Sequence, residues 1–241
     1  MTQLLSIITT TYNNLSAFKT TYASLSSCFA KSLFAFDYVI VDSSDTSCIR
    51  EFVNISCYPD LPCDIKYIHV EPSGPYDAMN AGISACVSKY VWILNAGDAI
   101  LSIPEDFNLI LAKLSIPING CVSKTLSPPY AYGSSNYSSF YNFRLHELHP
   151  ACIIPLAIYR QLGYYDSNFK IAADLHFLLR VARLHSFYFI PALSVYYPSG
   201  GISSQQKESL LTILKIIVSS RYLLVMLFFV PRYLYYLILC S

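Results

Sequence analysis

The feature that most constrains this chain of 241 residues is a series of short apolar segments with segments of helical character between them. Four of the apolar segments are rich in β-branched and aromatic residues, and they span residues 4–10, 38–44, 65–70 and 90–96. They are largely apolar at consecutive rather than alternate positions, as expected of strands buried on both faces. The pattern therefore predicts an α/β fold in which helices cover both faces of a Rossmann-like, mostly parallel sheet.

Apolar residues recur at helical spacing in the segments that connect or follow these strands. The predicted helices span residues 14–30, 76–88, 105–114, 156–162 and 173–185. Glu105 and Asp106 stand at the start of one of them and Asp174 at the start of another, where the helix dipole favours a carboxylate. Residues 127–143 have no such period and predict a long loop or irregular strand near the functional site.

Polar residues follow the ends of the predicted strands. Ligands of open α/β sheets bind outside the carboxyl ends of parallel strands. Carboxylates follow three of the four strands, at Asp42, Glu71 and Asp98, so we expect them to converge on one rim of the sheet. Helix capping and turn formation explain any one of these residues, but they explain the whole set less well. The sequence therefore predicts a ligand site at this rim.

The amino-acid composition indicates which ligands, surface contacts and cellular compartment suit the chain. The formal net charge of +1 gives no basis for nucleic-acid binding across the whole surface. Hydrophobic residues make up 54% of the chain, which predicts a surface that contacts lipid or a partner. The eight cysteines contain no C-x-x-C pair, which predicts free thiols in a reducing cytosol. The N-terminal residues have no basic region before their short apolar run, so we interpret them as the first strand rather than a signal peptide.

The C-terminal residues 205–241 are apolar, basic and rich in tyrosine. Their longest uncharged stretch, residues 222–231, is much shorter than the about 20 residues of a spanning helix. The segment is therefore predicted to be a helical tail that lies on the anionic cytoplasmic face of a membrane. Packing of the tail on the preceding domain or in a homodimer is the alternative.

Six stretches of the sequence resemble, in order, the family 2 glycosyltransferases, and in particular the colanic-acid and O-antigen type enzymes of bacterial polysaccharide synthesis. The most specific pair is YDAMNAGI at residues 76–83, followed after a strand by NAGD at residues 95–98. The six stretches are residues 4–14, 38–46, 74–100, 149–155, 163–181 and 200–204. The resemblance implies a type A glycosyltransferase fold, with a nucleotide-sugar-binding half at residues 1–100 and an acceptor-binding half at residues 101–204.

The resemblance also implies the reaction and its donor. A sugar would move from a UDP- or GDP-linked donor, with UDP the default, to an acceptor hydroxyl with inversion at the anomeric carbon. Six residues would contact the nucleotide or the sugar of the donor. They are Thr10 and Tyr12 at the nucleoside, Asp42 at the base or ribose, and Asp77, Asn80 and Asn95 at the donor.

Two carboxylates would carry the chemistry that the resemblance implies. Asp98 would hold Mg²⁺ or Mn²⁺, which prefer oxygen ligands and neutralise the leaving diphosphate, while Gly97 would allow close approach of the backbone. Asp174 would be the catalytic base, because an acceptor hydroxyl is a poor nucleophile until its proton is removed. His149 would contact phosphate or acceptor, with a structural hydrogen bond as the alternative. For Asp98 the alternative is a turn, and for Asp77 and Asp174 it is stabilisation of a helix start.

The chain departs from the commoner family pattern at two positions. Only Asp98 remains of an acidic cluster at residues 95–98, and Ala173 stands where a second acidic residue often precedes the base. These departures favour, as one alternative, a non-catalytic nucleotide- or sugar-binding scaffold of a polysaccharide assembly complex. A sugar nucleotidyltransferase is another alternative, although the segment after the first strand lacks the Gly and Lys of a phosphate loop. The leading hypothesis remains an enzyme that acts on a lipid-linked glycan at the inner face of the cell membrane.

Overall fold

The computed structural model describes residues 3–29, 35–56, 61, 63–123, 149–198 and 212. The predicted loop at residues 127–143, the stretch at residues 200–204 and the tail at residues 205–241, except for residue 212, lie outside the described residues. No helix among the described residues is both long and apolar enough to cross a membrane.

The described strands form one mixed sheet with flanking helices. The strands are β1 (Leu5–Thr11), β2 (Phe36–Asp42), β3 (Cys63–His69), β4 (Tyr90–Ile93), β5 (Ala99–Ser102), β6 (Ile118–Ser123), β7 (Cys152–Pro155) and β8 (Tyr188–Tyr196). The helices are α1 (Leu15–Phe29), α2 (Cys48–Ser56), α3 (Pro75–Ala85), α4 (Phe107–Lys113), α5 (Leu156–Leu162) and α6 (Ala173–Leu184). The sheet has eight strands in the order β3-β2-β1-β4-β7-β6-β8-β5, so both predicted halves of the chain contribute to it.

The first four strands pair in parallel with one another, as predicted. The second half of the sheet is mixed, because β7 is antiparallel to β4 and to β6, and β5 is antiparallel to β8. β6 and β8 pair in parallel. The α/β class and the mostly parallel sheet are therefore confirmed, and the sheet becomes mixed only beyond β4.

Alternate side chains of each central strand face two separate hydrophobic clusters, which explains the continuous apolar runs in the sequence. On β4, Tyr90 and Trp92 join the cluster that contains α1, α2 and α4. Val91 and Ile93 join the cluster that contains α3, α5 and α6. Both faces of the sheet are thus covered by helices, which is the condition under which parallel strands lose their apolar-polar alternation.

Five elements were not among the sequence predictions, namely α2, β5, β6, β7 and β8. Helix α2 has Ile49 and Val53 buried four residues apart, a helical spacing that the sequence already carried. Strand β5 has four residues directly after a turn, which is too short for a reliable pattern. Strands β6 and β8 pair with each other across a long stretch of chain, and this pairing depends on tertiary structure.

Candidate active site

A cavity of about 600 Å³ opens at the carboxyl ends of β1 and β4. The chain passes from β1 outward to β2 and β3, then crosses back to form β4 on the other side of β1. Open α/β sheets bind ligands where the connections diverge in this way. The polar and charged lining residues include Thr10, Thr11, Tyr12, Asn14, Ser43, Tyr76, Asn95, Asp98, His149, Lys170, Asp174 and Tyr197.

A tight turn after β4 places Asn95 and Asp98 in the cavity wall. The Asp98 N–H donates to the Asn95 carbonyl at 2.9 Å, and the Asn95 N–H donates to Asp98 Oδ2 at 2.8 Å. Gly97 has a φ of 106°, a conformation that side chains with a Cβ rarely adopt. Gly97 is therefore needed for the turn itself, whereas the sequence analysis expected it to allow close approach of a ligand.

Helix α1 stabilises this turn through hydrogen bonds of Thr21. The Thr21 hydroxyl donates to the Asn95 carbonyl at 3.2 Å and accepts from the Gly97 N–H at 2.9 Å. From the other side, the Thr10 hydroxyl donates to Asn95 Oδ1 at 2.7 Å. The ends of β1 and β4 are thus joined directly at the cavity, with Asp98 2% exposed.

The loop after β1 carries Tyr12, which lines the cavity mouth and is 56% exposed. Its hydroxyl donates to Asp45 Oδ2 at 3.4 Å. Asn13, at a φ of 48°, donates to the same oxygen at 2.7 Å, and its backbone N–H donates to Ser44 Oγ at 2.8 Å. These bonds fasten the loop after β1 to the loop after β2.

Asp42 lies behind the cavity rather than in its wall. Its side chain is fully buried, and its two oxygens accept hydrogen bonds from the Tyr67 hydroxyl and from the Ser44 N–H. Burial, followed by the contact with Asp42, raises the pKa of Tyr67 to about 12. The neighbouring Ser43 lines the cavity instead. The structure therefore gives Asp42 partners within the chain, where the sequence analysis expected a base or ribose.

Asp77 and Asn80 on α3 also lie outside the cavity lining. Asp77 is in the first turn of the helix, the position that the dipole explanation requires. The Asn80 side chain donates to the Tyr165 carbonyl at 2.9 Å and accepts from the Tyr165 N–H at 3.0 Å. Asn80 thus joins α3 to the segment before α6 rather than facing a ligand.

Asp174 lines the cavity at the start of α6, on the side contributed by the second half of the chain. The Tyr76 hydroxyl donates to Asp174 Oδ1 at 3.1 Å. Burial and the Asp174 charge raise the pKa of Tyr76, so this phenol remains a hydrogen-bond donor at neutral pH. Ala172, two residues before Asp174, has a φ of 64°, a strained conformation for a residue other than glycine.

His149 lines the cavity and is 6% exposed. Its Nε2 lies 2.8 Å from the Tyr165 hydroxyl, which in turn lies 3.1 Å from the Tyr159 hydroxyl. Burial lowers the pKa of His149, and the charge of Asp174 acts in the opposite direction. Burial raises the pKa of Tyr165 well above its usual value, and Tyr159 adds to this. The three side chains are therefore uncharged at neutral pH.

The fit of a divalent cation depends on Asp98. No group of three or more His, Cys, Asp or Glu side chains is arranged to hold a metal among the described residues. Of the cavity-lining carboxylates in the described residues, Asp98 lies at the end of the sheet and Asp174 in the opposite wall. One carboxylate is sufficient for Mg²⁺ or Mn²⁺ where substrate phosphates and water supply the other ligands. The residues present therefore fit a metal that binds together with a diphosphate.

Several cavity residues were missing from the sequence prediction. Tyr76 lies within the YDAMNAGI stretch, but nothing in the sequence indicated that its hydroxyl reaches Asp174. Tyr165 is buried behind the lining rather than in it, and it contacts His149 and Asn80 through hydrogen bonds that form only in the folded chain. Lys170, an exposed cation of the lining, and Thr11, whose buried hydroxyl has no partner among the described residues, also contribute. The position of Thr11 at a strand end was a sufficient signal for its inclusion.

Part of the sequence matches the model of a known protein family. Residues 6–106 match the sequence model of the family described as Glycosyl transferase family 2. No curated protein sequence matches the chain.

Solved structures share the fold at low sequence identity. TarS of S. aureus has a TM-score of 0.61 and 16% identity, with 90% of this chain and 39% of TarS covered. TarS 1–349 in complex with UDP-GlcNAc has a TM-score of 0.64 and 15% identity, with 90% of this chain and 67% of that chain covered. The mannosyltransferase PcManGT from Pyrobaculum calidifontis, in complex with GDP-Man and Mn²⁺, has a TM-score of 0.62 and 16% identity, with 91% and 64% covered.

This chain spans about two-fifths of the length of TarS, and identities in this range establish the fold alone. The predicted type A glycosyltransferase fold is confirmed by these structures. Together with the family match over the first four strands, the fold agrees with the cavity at the β1–β4 switch point and its two carboxylates. Residues 6–106 therefore resemble the family 2 glycosyltransferases, and the described chain has the type A glycosyltransferase fold.

Proposed function

We propose that this chain is a family 2 glycosyltransferase, which moves a sugar from a UDP- or GDP-linked donor to an acceptor hydroxyl, with inversion at the anomeric carbon. The observation that carries the proposal is the position of Asp98 and Asp174 in one cavity, on elements from different halves of the chain. Inversion requires attack from the side opposite the leaving group. Two carboxylates contributed by separate walls suit a base for the acceptor and a site for the diphosphate.

Asp174 is the general base of the proposed reaction. Its carboxylate accepts the proton of the acceptor hydroxyl as the acceptor oxygen forms a bond to the anomeric carbon. The bond between that carbon and the diphosphate oxygen breaks, and the diphosphate leaves with the electron pair. General-base assistance of this kind is worth about 10²–10⁴ in rate. The Tyr76 hydroxyl donates a hydrogen bond to one oxygen of Asp174. This bond orients the carboxylate, and the neutral phenol adds no charge to the site.

Asp98 is the carboxylate at the diphosphate. A Mg²⁺ or Mn²⁺ ion bound there would neutralise the negative charge that develops on the leaving group. The turn that fixes Asp98 and its 2% exposure support this role, because a carboxylate held in place loses little freedom on binding. The Mn²⁺ in the complex of PcManGT, a protein of the same fold, also supports it.

The nucleoside and donor sugar occupy the wall formed by the strand ends. Thr10, Tyr12 and Asn95 contact the donor there, with Thr11 and Ser43 beside them. Asp42, Asp77 and Asn80 support the same site from outside the lining. The nucleotide sugars in the complexes of TarS 1–349 and PcManGT support a UDP- or GDP-linked donor.

The proposed acceptor is a lipid-linked glycan of bacterial surface polysaccharide synthesis, such as O-antigen or lipopolysaccharide. The support comes from the sequence, since an apolar and basic tail at residues 205–241 suits the inner face of the cytoplasmic membrane. The protein is then peripheral, and enzyme and acceptor meet on one surface. Packing of the tail in a homodimer is the competing arrangement.

The test is calorimetric titration of the full chain with nucleoside diphosphates, with and without Mn²⁺, on wild type and Asp98→Ala. We expect one diphosphate to bind with a strong dependence on Mn²⁺, and Asp98→Ala to remove that dependence. Glu105→Ala, which removes an exposed carboxylate that does not line the cavity, is the matched control and should bind like wild type. Binding that ignores both Mn²⁺ and Asp98 would contradict the metal role.

The two alternatives have different outcomes. Release of pyrophosphate from a nucleoside triphosphate and a sugar phosphate identifies a nucleotidyltransferase. Diphosphate binding without hydrolysis of any bound nucleotide sugar, in the presence or absence of acceptor, identifies a non-catalytic scaffold.

A further inference from the structure

The cavity residue His149 is held at its backbone and at its ring. The Trp92 Nε1–H donates at 2.7 Å to the carbonyl of Pro150, the next residue, at a fully buried position. The His149 ring faces Tyr165 through Nε2 at 2.8 Å. Tyr165 packs edge-on against Phe177 and Tyr159, so its ring has little freedom to rotate away.

Hydrogen bonds join His149 to Tyr165 and Tyr165 to Tyr159. Only one assignment of donors and acceptors in these bonds gives every buried proton an acceptor. Tyr159 is 2% exposed, and within the described part of the chain its hydroxyl bonds only to Tyr165. If Tyr165 donated to Tyr159, the Tyr159 proton would be buried without an acceptor, which costs about 1–3 kcal/mol. Tyr159 must therefore donate to Tyr165, and Tyr165 in turn must donate to His149 Nε2. A hydroxyl has a single proton to give, so no other assignment satisfies both phenols.

This direction determines the tautomer of His149. A ring nitrogen that accepts a hydrogen bond carries no proton, so the proton of the neutral ring must be on Nδ1. Because His149 lines the cavity and its Nε2 faces Tyr165, Nδ1 is the ring nitrogen with which His149 can contact a ligand. Nδ1 thus provides a hydrogen-bond donor at the cavity surface.

We propose that Tyr159 and Tyr165 hold His149 as a neutral Nδ1–H donor, which binds a hydroxyl oxygen of a sugar on the Asp174 side of the cavity. Tyr159 and Tyr165 are positioning residues in this arrangement, and His149 is the residue that touches the ligand. Asp174 lines the same cavity as His149, and its charge acts on the His149 ring. An uncharged donor suits an uncharged hydroxyl, whereas a phosphate would favour a protonated ring. The identity of the ligand rests on the proposed function, but the tautomer does not.

The tautomer is tested without any ligand, by long-range ¹H–¹⁵N correlation NMR of the full chain with labelled histidine. The chain has five histidines, and the spectrum of His149→Gln identifies the signals of His149. We expect wild type to show a neutral ring protonated on Nδ1 from pH 7 to pH 8. An Nε2–H tautomer or a charged ring in this range overturns the proposal.

Two conservative variants test the direction of the hydrogen bonds. Tyr165→Phe removes the donor to Nε2 and should convert His149 to a mixture of tautomers. Tyr159→Phe leaves that donor in place and should keep the Nδ1–H tautomer. If Tyr159→Phe shifts the tautomer as much as Tyr165→Phe does, the assigned direction is wrong. The wild-type spectrum still decides the tautomer if either variant fails to fold.

The ligand is tested on the same signal. UDP and GDP with Mg²⁺ are compared with UDP-GlcNAc and GDP-mannose, each first checked for binding by calorimetry. A shift of the Nδ1–H signal with a bound nucleotide sugar, but not with its diphosphate, supports a sugar hydroxyl. A shift with the diphosphate alone, or none with a bound nucleotide sugar, overturns the assigned ligand. Failure of all four to bind contradicts the proposed function and leaves the tautomer result standing.

Discussion

Two walls of the cavity are built on different physical principles. The strand-end wall contains Thr10, Asn95 and Asp98, and it continues the parallel pairing of β1 with β4. The opposite wall contains His149, which precedes β7, and Asp174, which lies in α6. These two residues do not belong to the same strand or helix. It depends on side-chain bonds, from Tyr76 to Asp174 and from Tyr165 to His149.

The two walls differ in how a side-chain substitution affects their hydrogen bonds. Backbone bonds carry the strand-end wall, since the Ala96 N–H donates to the Thr10 carbonyl at 2.9 Å and the Leu94 N–H donates to the Ile8 carbonyl at the same distance. Replacement of one side chain leaves these bonds in place. In the opposite wall, each functional group relies on one or two side-chain partners. We therefore expect conservative substitutions to change function more in the opposite wall than in the strand-end wall.

The largest effect is expected for Asp174→Asn. Loss of the base should lower kcat by about 10²–10⁴, because proton removal then falls to water. Binding of the nucleoside diphosphate should be unchanged, since Asp98 lies in the other wall. Steady-state kinetics and calorimetry measure the two separately. Glu51→Gln, at the first turn of α2, controls for the loss of a helix-start charge, and an equal fall in kcat there would contradict the base role.

Tyr76→Phe should have the next largest effect. It removes the hydrogen bond to Asp174 and keeps the ring that packs near Tyr165. A hydrogen bond to a charged group contributes about 1.5–3 kcal/mol, so kcat should fall about tenfold or more with little change in diphosphate affinity. Tyr67→Phe, which removes a bond to the buried Asp42 behind the strand-end wall, is the matched change on the other side of the cavity. A larger kcat loss in Tyr67→Phe would invert the comparison of the walls.

Asn80→Ala should loosen the opposite wall as a unit. The substitution leaves the Tyr165 N–H and carbonyl without their partners, and a cost of about 1–3 kcal/mol in the free energy of unfolding is expected. Denaturant unfolding followed by circular dichroism measures this cost. Thr10→Val removes one side-chain bond of the strand-end wall and should cost less. Equal costs for the two variants would remove the distinction between backbone-held and side-chain-held walls.

Gly97→Ala tests the strand-end wall at the position where its backbone is special. The φ of 106° is unfavourable for alanine, and left-handed backbone conformations cost about 1–2 kcal/mol. The added Cβ would lie 3.4 Å from Pro198 Cγ, which is tight but not prohibitive. We expect a loss of this size in unfolding free energy and weaker metal-dependent diphosphate binding. Wild-type stability and binding would show that the turn does not need glycine.

The smallest effect is expected in the pH dependence of stability. The pKa of His149 is lowered from 6.5 in the folded chain, so the unfolded chain binds more protons below that pH. The stability associated with the neutral ring is therefore complete above pH 6.5 and is lost as the pH falls towards the folded pKa. His149→Gln should lose less stability than wild type between pH 7 and pH 5, as measured by denaturant unfolding. His69→Gln, at an exposed position, should follow wild type.

Much of the strand-end wall could be predicted from the sequence. Continuous apolar runs identify strands buried on both faces, and the carboxyl ends of parallel strands meet at one rim. The same rule predicts that Thr10, Asn95 and Asp98 lie together at this rim. Asp42 satisfied the same rule yet lies behind the wall, because its side chain is turned to Tyr67 and the Ser44 N–H. Strand position locates a residue at the rim, but the direction of its side chain depends on neighbours from other strands.

The sequence by itself determined the fold class and the rim of the parallel sheet. It also determined the positions of two carboxylates, Asp98 after β4 and Asp174 at the start of α6. These follow from local periodicity and from the geometry that all parallel sheets share. Only the tertiary structure decided that Tyr76 reaches Asp174, that Asn80 binds the Tyr165 backbone, and that Tyr165 faces His149. These pairs are separated by 98, 85 and 16 residues, so no local pattern encodes them. Their contacts exist because α3 and α6 pack on the same face of the sheet, which brings short-range hydrogen bonds into reach.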